Sequence, residues 1–367
     1  MLTDDSDRLY IFKKKKLMIP KELKNKLKNK KKISLSEFIE FCLYDKNEGY
    51  YENISDITND FLTSPEVSQL FGECISIFFL YLLEFKLSES ISRIVEFGPG
   101  NGTLMFDLIR SIKSYSKFEK FEFFLLEKSK KMINIQKSKL KYLGTDNIKI
   151  KWFKKIRALE KSSCFFLCNE FFDAFPINQY VYRDNKFYEK KIINLNDKLT
   201  FKEFETDWKY ESGYKLNNGD IIEHSQSIDK FLFEVFYHIQ SYGGIFLLFD
   251  YGPYRKSNVD TLQAIFKKKK CGLFDQPTKS DITHHIDFER FKKIADRYNL
   301  FSIGPIPQSK FLNMFGINER LDKVSSRIKS NSLKKKLEQE FFKLTSPSEM
   351  GELFKCMIFS KEVINFL

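Results

Sequence analysis

Glu96, Gly98, Gly100 and Gly102 end a short apolar run, Ile94-Val95-Glu96-Phe97-Gly98-Pro99-Gly100-Asn101-Gly102, that leads into the stretch Thr103 to Ile109. A strand that ends on an acid and turns through alternating glycines into a helix leaves bare backbone at its carboxyl end. That is the binding edge of an open α/β sheet. Three alternating glycines exceed what an ordinary strand-to-helix turn requires, so the pattern points to a nucleoside cofactor. A dinucleotide fingerprint, GxGxxG, would put its third glycine where Thr103 stands, and the spacing therefore favours S-adenosylmethionine over NAD. Glu127 closes the next apolar run, where a carboxylate can accept hydrogen bonds from both ribose hydroxyls. Trp152-Phe153, ending the third run, either pack against adenine or belong to the core.

The second set of reactive types is Asn169-Glu170-Phe171-Phe172-Asp173, after the fourth apolar run. Methyl transfer from a sulfonium is an in-line displacement, in which alignment alone can supply roughly 7 to 11 kcal/mol. Were the acceptor an arginine, its guanidinium, always protonated and with delocalised lone pairs, would add a demand. Carboxylates must grip it and a base must take a proton. Glu170 and Asp173, three residues apart at the carboxyl edge, are the leading clamp, with Asn169 offering an amide to cofactor or substrate. The plainer alternative has Asp173 capping a helix and Glu170 meeting a lysine. His285 and Asp287 share one face if extended and could relay a proton, or Thr283 and Asp287 simply cap neighbouring turns. Asp250 either meets substrate or stabilises a turn ahead of Gly252.

Strands are expected at Arg93 to Phe97, Glu122 to Glu127, Ile148 to Phe153, Cys164 to Asn169 and Gly244 to Asp250, alternating with helices as in a parallel sheet. The expected class is α/β, a Rossmann-like sheet with an N-terminal helical region and inserted β-hairpins. Alternation over Tyr180 to Phe204, around Asp184-Asn185 and Asn194 to Lys198, marks the hairpins. Ser34-Leu35-Ser36-Glu37 reads as a capping box opening a helix through Phe41. Thr63, Ser64, Pro65 and Glu66 repeat that start signal before a helix from Val67 to about Phe85. Gln69 and Glu73 lie one turn apart on it. Three regions follow: 1–90, helical and covering the cofactor; 91–305, the core, with a β-rich insertion at about 177–240; and 306–367, an extension completing the core.

The 367 residues suffice for such a core, and 42% hydrophobic with 30% charged residues excludes both disorder and a membrane protein. The run Cys74 to Leu83 is too short to span a bilayer, and Asp4, Asp5 and Asp7 fit neither signal nor Arg-rich transit peptide. A cytoplasmic protein without a membrane span is expected. The six cysteines form no CxxC pair, and His284 and His285 are adjacent, so no metal site is expected. The net charge of +13 comes mainly from lysines spread along the chain, including 12–32, and predicts no stable nucleic-acid partner.

The sequence resembles the MidA-like methyltransferases. The resemblance runs through Gly49-Tyr50-Tyr51, the stretch Asp60-Phe61-Leu62-Thr63-Ser64-Pro65-Glu66 to Glu73, the glycine loop, and Asn169 to Pro176. It continues through Asp250-Tyr251-Gly252, Thr261-Leu262-Gln263-Ala264, Asp281-Ile282-Thr283-His284-His285-Ile286-Asp287-Phe288 and Met350-Gly351-Glu352-Leu353-Phe354-Lys355. Departures are Asn59 for glycine, Asn101 for arginine, Lys267 to Lys270 where a histidine is usual, and Asp275-Gln276-Pro277 for Asp-Pro-Gly. The three loop glycines are kept. The resemblance implies that the segment carrying Thr63, Pro65 and Glu66 folds over the cofactor. It also implies a protein-arginine methyltransferase acting on a core subunit of respiratory complex I during assembly. A nucleic-acid amino-methyltransferase would want paired prolines where Glu170 and Phe171 stand, and an assembly factor that binds S-adenosylmethionine without catalysis stays open beside it.

Overall fold

The computed structural model describes residues 19–54, 62–85, 91–144, 148–210 and 215–364. Asp4, Asp5 and Asp7, lysine-lead residues 12–18, Asn59, Asp60, Phe61 and the Ser/Glu-rich linker at 86–90 lie outside the described residues.

The N-terminal part comprises α1 (Lys21–Lys30), β1 (Lys32–Ser34), α2 (Leu35–Tyr44), α3 (Tyr50–Asn53), α4 (Ser64–Val67) and α5 (Gln69–Glu84). The capping box forms as its residue types require: Ser34 Oγ accepts from the Glu37 amide and the Ser34 amide donates to Glu37. The second start signal does not cap. Thr63 makes no side-chain cap, and Ser68 at φ −158° is extended, so the expected single helix is broken into α4 and α5.

Next come β2 (Arg93–Phe97), α6 (Thr103–Ile112), β3 (Glu122–Leu126), α7 (Lys130–Lys141), β4 (Lys149–Phe153) and β5 (Cys164–Asn169). An antiparallel excursion follows, β6 (Asn178–Arg183), β7 (Lys186–Leu195), β8 (Lys198–Thr206) and β9 (Ile221–His224), before α8 (Gln226–Tyr242) and β10 (Gly244–Tyr251). The chain ends through β11 (Gln263–Phe266), β12 (Lys269–Cys271), β13 (Asp281–Thr283), α9 (Phe288–Arg297), β14 (Phe301–Pro307), α10 (Gln308–Met314), α11 (Ile317–Ser325), α12 (Asn331–Thr345), α13 (Met350–Leu353) and β15 (Phe354–Ser360).

The main sheet runs β14-β15-β10-β5-β2-β3-β4. Its five expected strands are parallel neighbours, and β15 inserts antiparallel between β10 and β14. Period-two alternation divides its side chains between two apolar layers. Ile94 and Phe165 meet Phe78 and Phe79 of α5 and Leu108 of α6, while Val95 and Phe166 meet Leu232 and Phe236 of α8 and Phe291 of α9. Each fully buried phenylalanine contributes about 1.5–3 kcal/mol from apolar burial. The sheet is Rossmann-like, as expected.

β1 joins the inserted strands in the order β1-β7-β6-β9, with β8 against the other side of β7, so the N-terminal part is not purely helical. A third apolar cluster unites Leu23 and Phe38 of the N-terminal helices with Ile192 of β7, Ile282 of β13 and Ala174. This cluster fixes the Asn169-to-Asp173 segment and β13 side by side. The His284 amide completes the junction by donating to the Asp173 carbonyl at 3.0 Å.

Candidate active site

The carboxyl ends of β2, β3, β5 and β10 open on one edge, since Phe97 is level with Leu126 and Cys168, and Phe249 with Asn169. The glycine loop leaves β2 there. Gly98 has φ +61° and Gly102, the N-cap of α6, φ +81°. Gly98 has no room for a side chain, because a Cβ would sit 2.5 Å from Phe171 Cδ2. Glu96 is buried, and desolvation pushes its carboxyl up to about 8 although the Met105 amide favours the charged form. Its Oε2 takes no hydrogen bond among the described residues. A buried, unsatisfied acceptor beside a left-handed glycine loop suits the amine or hydroxyl donors of a nucleoside cofactor.

Glu127 stands where the sequence put it. Its Oε1 accepts from the Lys128 and Ser129 amides at 2.7 and 2.9 Å, its Oε2 from Gln136 Nε2 at 3.1 Å, and burial raises its pKa. Oε1 is thereby filled, and Oε2 keeps one lone pair for a ribose hydroxyl. Gln136, which sequence reasoning missed, is fully buried on α7 and ties three parts of the site together. Besides Glu127, its Nε2 donates to the Gly100 carbonyl at 2.8 Å and its Oε1 accepts from Trp152 Nε1 at 2.8 Å. Trp152 and Phe153 are not brought together: adjacent strand residues face opposite ways, and they pack against different apolar layers. A shared adenine contact by both is corrected to Trp152 beside the loop through Gln136, with Phe153 packed against Phe124 on the other face.

Asn169, Glu170 and Asp173 converge. Glu170 is held at φ +50°, a left-handed conformation uncommon for a side-chain-bearing residue, with its amide on the Phe249 carbonyl. Glu170 Oε1 accepts from Asn169 Nδ2 at 2.8 Å and from the Ser64 amide at 3.2 Å. Burial, with Asp250 and Asp281 adding repulsion, pushes its carboxyl up to about 8. Asp173 is raised further by burial and by Asp250, Asp281 and Glu170. Asp250 sits beneath, its two oxygens accepting from the Phe172 and Tyr251 amides at 2.9 Å, so it cradles the turn that presents Asp173. Asp173 caps no helix and Glu170 meets no lysine among the described residues. Buried carboxylates that repel each other, with no ion pair to Glu170, Asp173 or Asp250 among the described residues, form an arrangement suited to an incoming cation.

The N-terminal part covers this edge. Thr63 and Pro65 flank Ser64, whose amide reaches Glu170, and Glu66 hydrogen-bonds Thr103, which also receives Lys139. Ser129 Oγ donates to Glu52 at 3.3 Å. Glu73 turns away from the edge, pairing with Arg320 at 2.6 Å and Arg110 at 3.0 Å.

His285 and Asp287 do not form the expected relay. Asp287 caps α9 by accepting from the Arg290 amide at 3.0 Å and pairs with Lys256 at 3.4 Å. The His285 ring lies edge-on to Tyr251, and burial lowers its pKa. Both nitrogens of buried His284 meet backbone carbonyls, of His285 and Phe175. A polar segment this close to a helix start uses its acid for the cap, which is the competing reading.

With the geometry set, comparison with known proteins defines the class. A model of a family of S-adenosyl-L-methionine-dependent methyltransferases matches residues 74–306. The chain belongs to that family, in agreement with its resemblance to the MidA-like enzymes, and S-adenosylmethionine is its cofactor. Among its relatives is the mitochondrial protein arginine methyltransferase NDUFAF7 of Homo sapiens, 28% identical over 360 residues, covering 91% of this chain and 81% of the relative. The NDUFAF7 of Bos taurus is 26% identical over 357 residues, covering 90% and 80%. A crystal structure from Burkholderia thailandensis bound to S-adenosyl-homocysteine superposes with a TM-score of 0.81 at 23% identity, covering 94% of this chain and 92% of that one. That likeness shows the fold, a class I methyltransferase sheet. The relatives are mitochondrial by name, which overturns the expected cytoplasmic location. Among the described residues no helix is long and apolar enough to cross a membrane, but that property selects no compartment.

Proposed function

We propose that this enzyme methylates an arginine side chain of a protein, and that the protein is a core subunit of respiratory complex I. The supporting observation is the group of buried carboxyls, Glu170 and Asp173 above Asp250, that has no cation among the described residues and lies beside the glycine loop. The names of the curated relatives favour an arginine acceptor. Glu96, Glu127 and the loop glycines would hold S-adenosylmethionine, with Thr63, Pro65 and Glu66 in the cover. When bound, it supplies a methyl group on a positively charged sulfur.

Glu170 and Asp173 receive the guanidinium, whose charge relieves their mutual repulsion and draws them into their ionised forms. Their oxygens fix the plane of the fork, so one Nη is held for attack. Guanidinium and methylguanidinium carry the same charge, so each transfer must shed one proton from the attacked nitrogen. Glu170, poised at about 8 before substrate enters, is the acceptor.

The test is transfer of a radiolabelled methyl group to the purified complex I core subunit, with RNA offered in parallel. Methylarginine in the protein hydrolysate is expected. Label on RNA, or none on protein, overturns the reading.

A further inference from the structure

We propose that Asp281, positioned by Tyr51, is a further acceptor of the guanidinium pocket and the residue that makes the pocket select arginine over lysine. The inference rests on the arginine reading above and extends it to a side chain outside the Asn169-to-Asp173 segment.

Asp281 begins β13, is 2% exposed, and accepts from Tyr51 Oη at 3.1 Å. Tyr51 is fixed in turn, because its ring stacks on Tyr44 at 5.4 Å and Tyr44 Oη donates to the Ala174 carbonyl at 3.0 Å. The residues that follow are pinned as well: Thr283 Oγ1 accepts from Gln263 Nε2 at 3.3 Å, and the His284 amide just past β13 donates to the Asp173 carbonyl. Asp281 is therefore set against the Asp173 turn, near enough for its charge to raise both Asp173 and Glu170.

A second observation points to a ligand. Asn169 is 9% exposed, its Nδ2 is bound to Glu170 Oε1, and its Oδ1 is buried without a hydrogen-bond partner among the described residues. A buried amide oxygen at a carboxylate cluster calls for a donor that the protein does not provide. A guanidinium has five N–H donors in a rigid plane, and one carboxylate engages two of them at most in a fork. Asp173, Asp281 and Asn169 Oδ1 together offer acceptors for several edges. A lysine ammonium, compact and with three donors, leaves part of that set unsatisfied.

The experiment measures binding of Nα-acetyl-arginine amide and Nα-acetyl-lysine amide to the full chain loaded with S-adenosylhomocysteine, by calorimetry. The Asp281→Asn variant should bind S-adenosylhomocysteine as wild type does but lose about tenfold or more of its arginine-over-lysine preference, as expected for a lost charge-assisted hydrogen bond. Tyr51→Phe, which leaves the carboxylate in place, should lose part of that preference, with KM for the protein substrate rising more than kcat falls. An unchanged preference in Asp281→Asn overturns the proposal while leaving the arginine reading intact. Wild-type protein that binds neither probe overturns the arginine reading and Asp281's role with it. Should Asp281→Asn not fold, Tyr51→Phe decides, because an unaltered preference and KM there contradict positioning by Tyr51.

Discussion

The Ser64 amide donates to Glu170 Oε1 at 3.2 Å, linking the segment that covers the cofactor edge to the acid that would receive substrate. The covering segment thus helps to orient Glu170. Glu170→Gln keeps an oxygen for Ser64 but loses the proton acceptor. Its kcat should fall by about 10²–10⁴ with S-adenosylmethionine affinity unchanged, measured by label transfer and calorimetry. Equal losses in cofactor affinity and turnover would assign Glu170 to cofactor binding instead.

Stability should depend on pH through the raised carboxyls. Glu96 and Glu170 sit at about 8 in the folded chain against 4.5 as free side chains, so the folded state holds more protons between those values. Their contribution is complete below the unfolded pKa and is lost as pH rises through about 8. The ligand-free protein should melt a few degrees lower at alkaline than at mildly acidic pH. Glu96→Gln should flatten that slope in thermal scans. A melting point that climbs steadily to alkaline pH would contradict the assignment.

Gln136→Leu would leave the Gly100 carbonyl, Glu127 Oε2 and Trp152 Nε1 without their shared partner. Each buried orphan costs about 1–3 kcal/mol. A substantial loss of unfolding free energy in urea is expected, together with at least tenfold weaker S-adenosylmethionine binding and altered Trp152 fluorescence. A variant that binds cofactor normally would reduce Gln136 to packing.

Glu73→Ala removes a buried carboxylate that joins α5 to Arg320 of α11 and Arg110 of α6. The loss should be about 1–3 kcal/mol, since Arg320 loses its carboxylate while Arg110 keeps Asp107 at 3.0 Å and both guanidinium groups reach solvent. Turnover of the protein that remains folded should be nearly normal, because this network faces away from the carboxyl edge. Chemical denaturation and specific activity together check both halves.

The sheet was legible where apolar runs are local: the five parallel strands begin and end within a residue of their expected limits. β14 and β15 were not, because a strand entering from the far end of the chain leaves no local periodicity to mark its slot. The site divides along the same line. Glu96, Glu127, Glu170 and Asp173 each sit one or a few residues from a readable strand end or glycine. Gln136 lies mid-helix with no strand end or glycine beside it, and Tyr51 and Asp281 meet across 230 positions. The false relay of His285 with Asp287 arose from counting residues along an assumed strand, where the chain was starting a helix.

The insertion of β15 between β10 and β14 also sets an order of events during synthesis. Until Phe354 to Ser360 have emerged from the ribosome, β10 presents an open row of amides and carbonyls, and Ile245 to Phe249 form an apolar edge that other chains can join. The half of the sheet carrying the glycine loop is complete much earlier. The last strand to be made is thus an interior one, and the edge of β10 is paired only when the chain is nearly complete.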